Sequence, residues 1–148
     1  MVCLGNICRS PLAEGIMAHK ARLAGLTWMV DSAGTGGWQR GEAPHRSSIS
    51  VAAAHGIDIT AQKARPFVPQ DMQLFDWVYF MDEDNLVDAK KIAGNLWNDR
   101  RASLLTEAQR PGQMINIPDP YLGTPADFER VFTMIDDACE AIIKHHQL

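Results

Sequence analysis

The sequence predicts an α/β fold, a four-stranded parallel sheet flanked by helices on both faces, and three observations point to it. Short apolar runs alternate with stretches of helical periodicity, the pattern of parallel strands joined by crossover helices. The run ending at Val2-Cys3-Leu4 passes through a glycine-containing loop into Ser10-Pro11, where proline can take a first helical position without losing a needed N–H. Near the C-terminus Phe128, Val131, Phe132, Ile135, Cys139, Ile142 and Ile143 recur at three- and four-residue spacings, so one stripe of a long helix faces a core. At 148 residues, 46% of them hydrophobic, the chain is expected to form one domain over residues 1–148 around a single sizeable core.

Taken in order, residues 2–4 read as the end of a first, unusually short strand, and Leu12, Ala13, Ile16 and Met17 as the apolar stripe of the first helix. Residues 26–32 predict a second strand, ending in the turn-rich Gly34-Thr35-Gly36-Gly37. A helix over about residues 47–55 should stop at Gly56, a residue favoured just past a helix C-terminus. Aromatic and β-branched residues over 77–81 predict a third strand, and Asp82, Glu83 and Asp84 suit the solvated start of the next helix. Residues 102–105 predict a fourth strand. Ligands of such sheets gather beyond the carboxyl ends of the strands, where the loops starting at Cys3, Ser32, Met81 and Pro118 should meet.

Composition narrows the function. A net charge of −4 without a basic block argues against nucleic acid as a partner. No apolar run is long enough to cross a bilayer and the N-terminus lacks the order of a secretory signal, so no membrane association and a cytoplasmic location are expected. The three cysteines, Cys3, Cys8 and Cys139, suit free thiols in a reducing compartment. Cys139 lies on the apolar stripe of the last helix and reads as core. His45, His55, His145 and His146 share no metal-ligand spacing with the cysteines, so neither metal nor cofactor is expected.

The chemistry concentrates in Cys3-Leu4-Gly5-Asn6-Ile7-Cys8-Arg9-Ser10. A thiol at a strand end, a tight loop and a guanidinium at a helix start form an anion cradle: loop N–H groups point inward and the helix N-terminus adds positive partial charge. Gly5 is expected to let the backbone turn. The same field favours the thiolate of Cys3, the reactive form of cysteine. Arg9 can hold two phosphate oxygens through its planar fork, which lysine cannot match. Ser10 is near enough to donate to the thiolate, and Asn6 to pin the loop. Cysteine and arginine at this spacing alone are a weak signal; the strand before, the glycine within and Ser-Pro after make it specific.

Residues 2–14, Val-Cys-Leu-Gly-Asn-Ile-Cys-Arg-Ser-Pro-Leu-Ala-Glu, resemble the signature of the low-molecular-weight protein tyrosine phosphatases. Asp31-Ser32-Ala33-Gly34-Thr35 with Trp38, His55-Gly56-Ile57, Ala64-Arg65, Phe75-Asp76, Met81-Asp82 with Asn85, and Pro118-Asp119-Pro120-Tyr121 continue the resemblance over nearly the whole chain. It implies a metal-independent, two-step hydrolysis of phosphotyrosine through a phosphocysteine on Cys3, with Asp119 as proton donor and then base. Prolines on both sides of Asp119 would stiffen the loop that places it. By the same resemblance Trp38 and Tyr121 wall the aryl slot, Leu4 and Ile7 line the rim, Ser32 supports Asn6, and Cys8 can form a reversible disulfide with Cys3. The implied partners are phosphotyrosine proteins, a tyrosine kinase or its targets among them, with phosphate, sulfate or vanadate as occupants of the site.

Three features depart from the common pattern: only Met1 and Val2 precede the nucleophile, Leu122 follows Tyr121 where many members have a second aromatic residue, and Pro44-His45-Arg46 replaces an Asp-x-Arg arrangement. Protein arginine phosphatases are the runner-up; they carry threonine where this chain has Ile7. Arsenate reductases of this fold need further cysteines after the third strand, where this chain has none. A phosphate-binding module without turnover would need neither nucleophile nor acid.

Overall fold

Alternation of side chains across short strands divides the interior in two. The computed structural model describes residues 1–147. Its strands are β1 (Val2–Cys3), β2 (Ala33–Gly34), β3 (Val78–Phe80) and β4 (Ala102–Leu104). They form one parallel sheet in the order β2-β1-β3-β4, with Val2 opposite both Ala33 and Phe80, and Phe80 opposite Leu104. Because successive residues of a strand point to opposite faces, Val2, Ala33, Val78, Phe80 and Leu104 fill one core while Cys3, Met81 and Leu105 fill another. The single core expected from length is thus two, one on each face of the sheet.

Five helices cover those faces: α1 (Arg9–Leu23), α2 (Arg46–Ala54), α3 (Asp71–Leu74), α4 (Glu83–Ala93) and α5 (Pro125–His146). Helices α1, α2 and α5 pack on the Cys3 side, and α3 and α4 on the Val2 side. The α5 stripe read from the sequence is the buried one, from Phe128 through Ile143 with Cys139 fully buried. Local chemistry sets the helix starts. Thr124 and Asp127 make a reciprocal capping box before Pro125, and Asp82 and Asn85 make another at α4. His45 caps α2 by accepting the Ser47 N–H on Nδ1 at 3.0 Å. Helix α1 alone among the three longest has no side-chain cap and no acidic residue in its first turn, which leaves its N–H groups open to an anion.

The second strand is displaced from its expected place. Residues 26–32 are not strand; the ladder begins at Ala33. This segment meets β1's side of the sheet only at its end, where the Met1 amino group donates to the Asp31 carbonyl and the Met1 carbonyl accepts from Ala33 N–H, both at 3.0 Å. Without a neighbouring ladder Trp28 and Met29 remain on the surface. The first, third and fourth strands and the first, second and last helices fall where the sequence places them, within a residue or two at most ends, and α4 starts at the expected acidic residues. Among the described residues no helix is long and apolar enough to cross a membrane.

Candidate active site

All the loops that carry chemistry leave the same edge of the sheet. Strand β1 delivers Cys3, buried to 2% exposure, and Arg9 opens α1 with the same exposure. The Cys3 sulfur accepts the Asn6 backbone N–H at 3.3 Å and lies 3.0 Å from the Ser10 hydroxyl. Asn6 pins this loop with its whole side chain: Nδ2 donates to Ser10 Oγ at 2.7 Å and to Ser32 Oγ at 2.9 Å, and Oδ1 accepts the Arg65 N–H at 3.0 Å. Asn6, not Gly5, takes the left-handed turn, with φ of 55°. The Gln39 carboxamide lies over Gly5, and a side chain there would need that flexible group to move aside. Gly34 is required by close approach, since a Cβ there would sit 2.7 Å from the Leu4 carbonyl oxygen.

Arg9 is aimed from two sides. Its Nη1 donates to Asp82 Oδ2 at 2.5 Å and to the Ile117 carbonyl at 2.9 Å, while Nη2 stands 3.8 Å from Asp119 Oδ2. A buried guanidinium held this way has its fork fixed in one orientation. Asp119 is more open, its side chain 45% exposed, with Oδ1 accepting the Tyr121 N–H at 3.1 Å. The fold thus brings thiol, guanidinium and carboxyl to one end of the sheet across more than a hundred residues of chain.

The rim is apolar and open. Trp38 is 66% exposed with its ring folded over Gly36, and Tyr121 and Leu4 are also exposed. Ile7 does not belong to this rim: at 7% exposure it sits in the core with α1 and α5, because the loop turns at Asn6 and sends the next side chain inward. Its carbonyl holds the loop from outside by accepting the His45 N–H at 2.7 Å. Cys8 is buried; burial first, then the charges of Asp119 and Cys3, push its thiol up to about 12, so it remains protonated. Its carbonyl accepts the Ser48 hydroxyl at 3.2 Å. Ser32 supports Asn6 as expected.

Two residues have a part in the site that sequence reasoning does not give them. Asp82 was read as the solvated start of α4; it does cap that helix, and with its other oxygen it clamps Arg9. Its place directly after a strand, at the ligand-binding edge, was the available signal. Glu14 closes the quoted signature and accepts the Ser32 hydroxyl at 2.7 Å. Among the described residues no group of three histidine, cysteine or acidic side chains could hold a metal.

The profile described as low molecular weight phosphotyrosine protein phosphatase matches residues 1–147. The chain belongs to that family. Protein-tyrosine phosphatase activity is the family's chemistry. The low molecular weight phosphotyrosine protein phosphatase of Sus scrofa is 35% identical over 145 residues, which cover 97% of this chain and 91% of the relative. The crystal structure of YfkJ from Bacillus subtilis superposes with a TM-score of 0.89 at 35% identity, covering 99% of this chain and 91% of that one. A protein tyrosine phosphatase from Entamoeba histolytica, solved with Hepes in its active site, has a TM-score of 0.88 at 30% identity, covering 99% and 96%. The Drosophila arginine phosphatase DARP is as similar in fold, with a TM-score of 0.89 at 31% identity over 99% and 96%.

Proposed function

We propose that this chain hydrolyses phosphotyrosine in proteins, and small aryl phosphates, through a phosphocysteine on Cys3, with Arg9 binding phosphate and Asp119 as general acid and then base. The observation that carries the reading is one constellation at the carboxyl end of β1: Cys3 with its sulfur facing the Ser10 hydroxyl and the Asn6 N–H, an uncapped helix start, and an Arg9 fork held by Asp82 with Asp119 3.8 Å from its other nitrogen. Phosphoryl transfer needs positioning and charge stabilisation, and each of these groups supplies one or both.

In the first step the Cys3 thiolate attacks phosphorus in line, while the phenol oxygen leaves with the proton of Asp119. Charge on the equatorial oxygens is met by the loop and helix N–H groups and by Arg9, whose donation strengthens as phosphorus becomes trigonal bipyramidal. Asp82 takes Nη1 and so leaves the other edge of the guanidinium for the substrate. In the second step water attacks the phosphocysteine, Asp119 takes its proton, and the S–P electron pair returns to sulfur. Ser10 and the Asn6 N–H are placed to receive the charge there.

Trp38, Tyr121 and Leu4 offer faces for an aryl ring, while Leu122 at 94% exposure extends that rim toward a peptide. The physiological substrate we envisage is a phosphotyrosine protein, a tyrosine kinase or one of its targets. Phosphate, sulfate and vanadate should occupy the cradle, as the sulfonate-bearing Hepes suggests for the Entamoeba enzyme. Three free thiols favour a reducing, cytoplasmic setting and leave Cys8 available to protect Cys3 as a disulfide. Phosphoarginine is the alternative substrate, and the likeness to DARP favours testing it.

The test is steady-state hydrolysis of a phosphotyrosine peptide and of phosphoarginine without added metal, for the parent chain and Cys3→Ser. Turnover of phosphotyrosine that Cys3→Ser abolishes supports the reading. Preference for phosphoarginine would replace the substrate, and activity that survives Cys3→Ser would sink the mechanism.

A further inference from the structure

The hydrogen bonds beneath the nucleophile form one directed chain with a carboxylate at its far end. Asn6 Nδ2 has only hydrogens to offer, so Ser10 and Ser32 must both accept from it. Each hydroxyl then has one hydrogen left. That of Ser10 points to the Cys3 sulfur at 3.0 Å, its other acceptor, the Ala33 carbonyl, lying at a marginal 3.5 Å. That of Ser32 points to Glu14 Oε1 at 2.7 Å. Asn6, Ser10 and Ser32 are all buried, at 2%, 0% and 5% exposure.

We infer that Glu14 is a positioning residue for the reaction: as acceptor for Ser32 it holds the strained Asn6 in the orientation that directs the Ser10 hydroxyl and the Asn6 N–H onto the Cys3 sulfur. The inference rests on the proposed phosphocysteine mechanism and deepens it. Asn6 needs the anchor, because a non-glycine residue at φ of 55° persists only where its surroundings over-determine it. Arg65 N–H holds one end of its amide and Ser32 the other. Remove the carboxylate and Ser32 keeps a buried hydroxyl hydrogen with no acceptor, so it must rotate, and the cooperative chain through Asn6 weakens. Glu14 can stay ionised there only against burial, which raises its pKa, while the Ser32 hydroxyl opposes that rise.

The two chemical steps feel this differently. In the first, the donors stabilise the attacking thiolate more than the transition state, in which sulfur is losing charge. In the second, phosphocysteine and water give thiolate and phosphate: the O–P bond forms, the S–P bond breaks, its electron pair goes to sulfur, and the proton of water goes to the Asp119 carboxylate. Charge grows on sulfur, so losing its donors slows this step.

The experiment compares the parent, Glu14→Leu and Glu14→Gln in turnover of an aryl phosphate, in phosphocysteine trapped at steady state, and in the exchange of the Asn6 side-chain amide protons by nitrogen-edited spectra. Glu14→Leu should lower kcat about tenfold with KM falling alongside, so that kcat/KM changes less than about threefold. Its trapped phosphocysteine should be no lower than the parent's, and protection of the Asn6 protons should be lost. Glu14→Gln, which keeps an acceptor, should hold kcat within about threefold and keep those protons protected. The inference is overturned if Glu14→Leu leaves kcat unchanged, if it lowers kcat and trapped intermediate together at constant KM as a loss of folded enzyme would, or if Glu14→Gln is equally impaired. A parent without aryl phosphatase activity overturns the proposed function instead; the Asn6 protons then decide the anchor alone, and unchanged protection in Glu14→Leu refutes it.

Discussion

The floor of the site and its rim are built on opposite terms. On the floor Cys3, Asn6, Arg9 and Ser10 are each at or below 2% exposure, and their polar side-chain atoms meet partners from β1, β2, α1, α4 and the segments at Arg65 and Ile117. On the rim Trp38, Tyr121 and Leu122 are half to almost wholly exposed, and Asp119 has one turn hydrogen bond and a 3.8 Å approach to Arg9. On the proposed mechanism the floor presents charge to a phosphate that is the same in every substrate, so rigidity costs nothing there. The rim meets whatever lies beyond the phosphate and can change without disturbing the chemistry.

That contrast sets an order of effects. Arg9→Ala strikes the floor hardest, since on the proposed mechanism it removes the phosphate clamp and leaves Asp82 beside the anion: kcat/KM for an aryl phosphate should drop about 1000-fold or more in steady-state kinetics. Asp119→Asn comes next, with kcat down about 100-fold and a larger loss for poor leaving groups, as general acid catalysis demands. A leaving-group series with equal losses throughout would remove Asp119 from that role. Asp82→Asn keeps a cap on α4 but weakens the hold on Arg9, so kcat/KM should fall about tenfold with thermal stability nearly kept. Trp38→Ala, on the rim, should raise KM for a phosphotyrosine peptide about three- to tenfold and leave kcat nearly unchanged. If Trp38→Ala lowered kcat as far as Asp82→Asn does, floor and rim would not be separable.

The smallest effect is one of pH. Burial raises the pKa of Glu14, the nearby Asp31 adding to it and the amino terminus and Arg65 opposing it. A carboxyl raised in the folded state contributes stability that is full below its ordinary value of 4.5 and is lost as pH rises through the folded value. Glu14→Gln should therefore melt higher than the parent by about 2 °C or less near neutral pH, and the gain should vanish toward pH 4 in melting curves.

Legibility followed the same division. The phosphate loop was readable because its residues are adjacent in sequence and the chemistry needs them at fixed spacing; Cys3, Arg9, Ser10 and the helix behind them lie where expected. Within it the positive φ falls on Asn6 and not on Gly5, and the Ile7 side chain turns into the core and not onto the rim. Which residue of a tight loop takes the positive φ, and which side chain then turns inward, depends on the elements packed around it. Asp82 was visible as a helix start and invisible as the partner of Arg9, since 73 residues separate them.

By itself the sequence determined the α/β class, the long stripe of α5, the cradle from Cys3 to Ser10 and the resemblance that the family match bears out. Those follow from periodicity and local spacing, which act over a few residues. Only the tertiary structure decided where β2 begins, how the interior divides into two cores, and how Glu14, Ser32 and Asn6 join beneath the nucleophile. A strand exists only where another lies beside it, and a hydrogen-bonded chain only where folding brings donors to acceptors, so neither is written in any local stretch of residues.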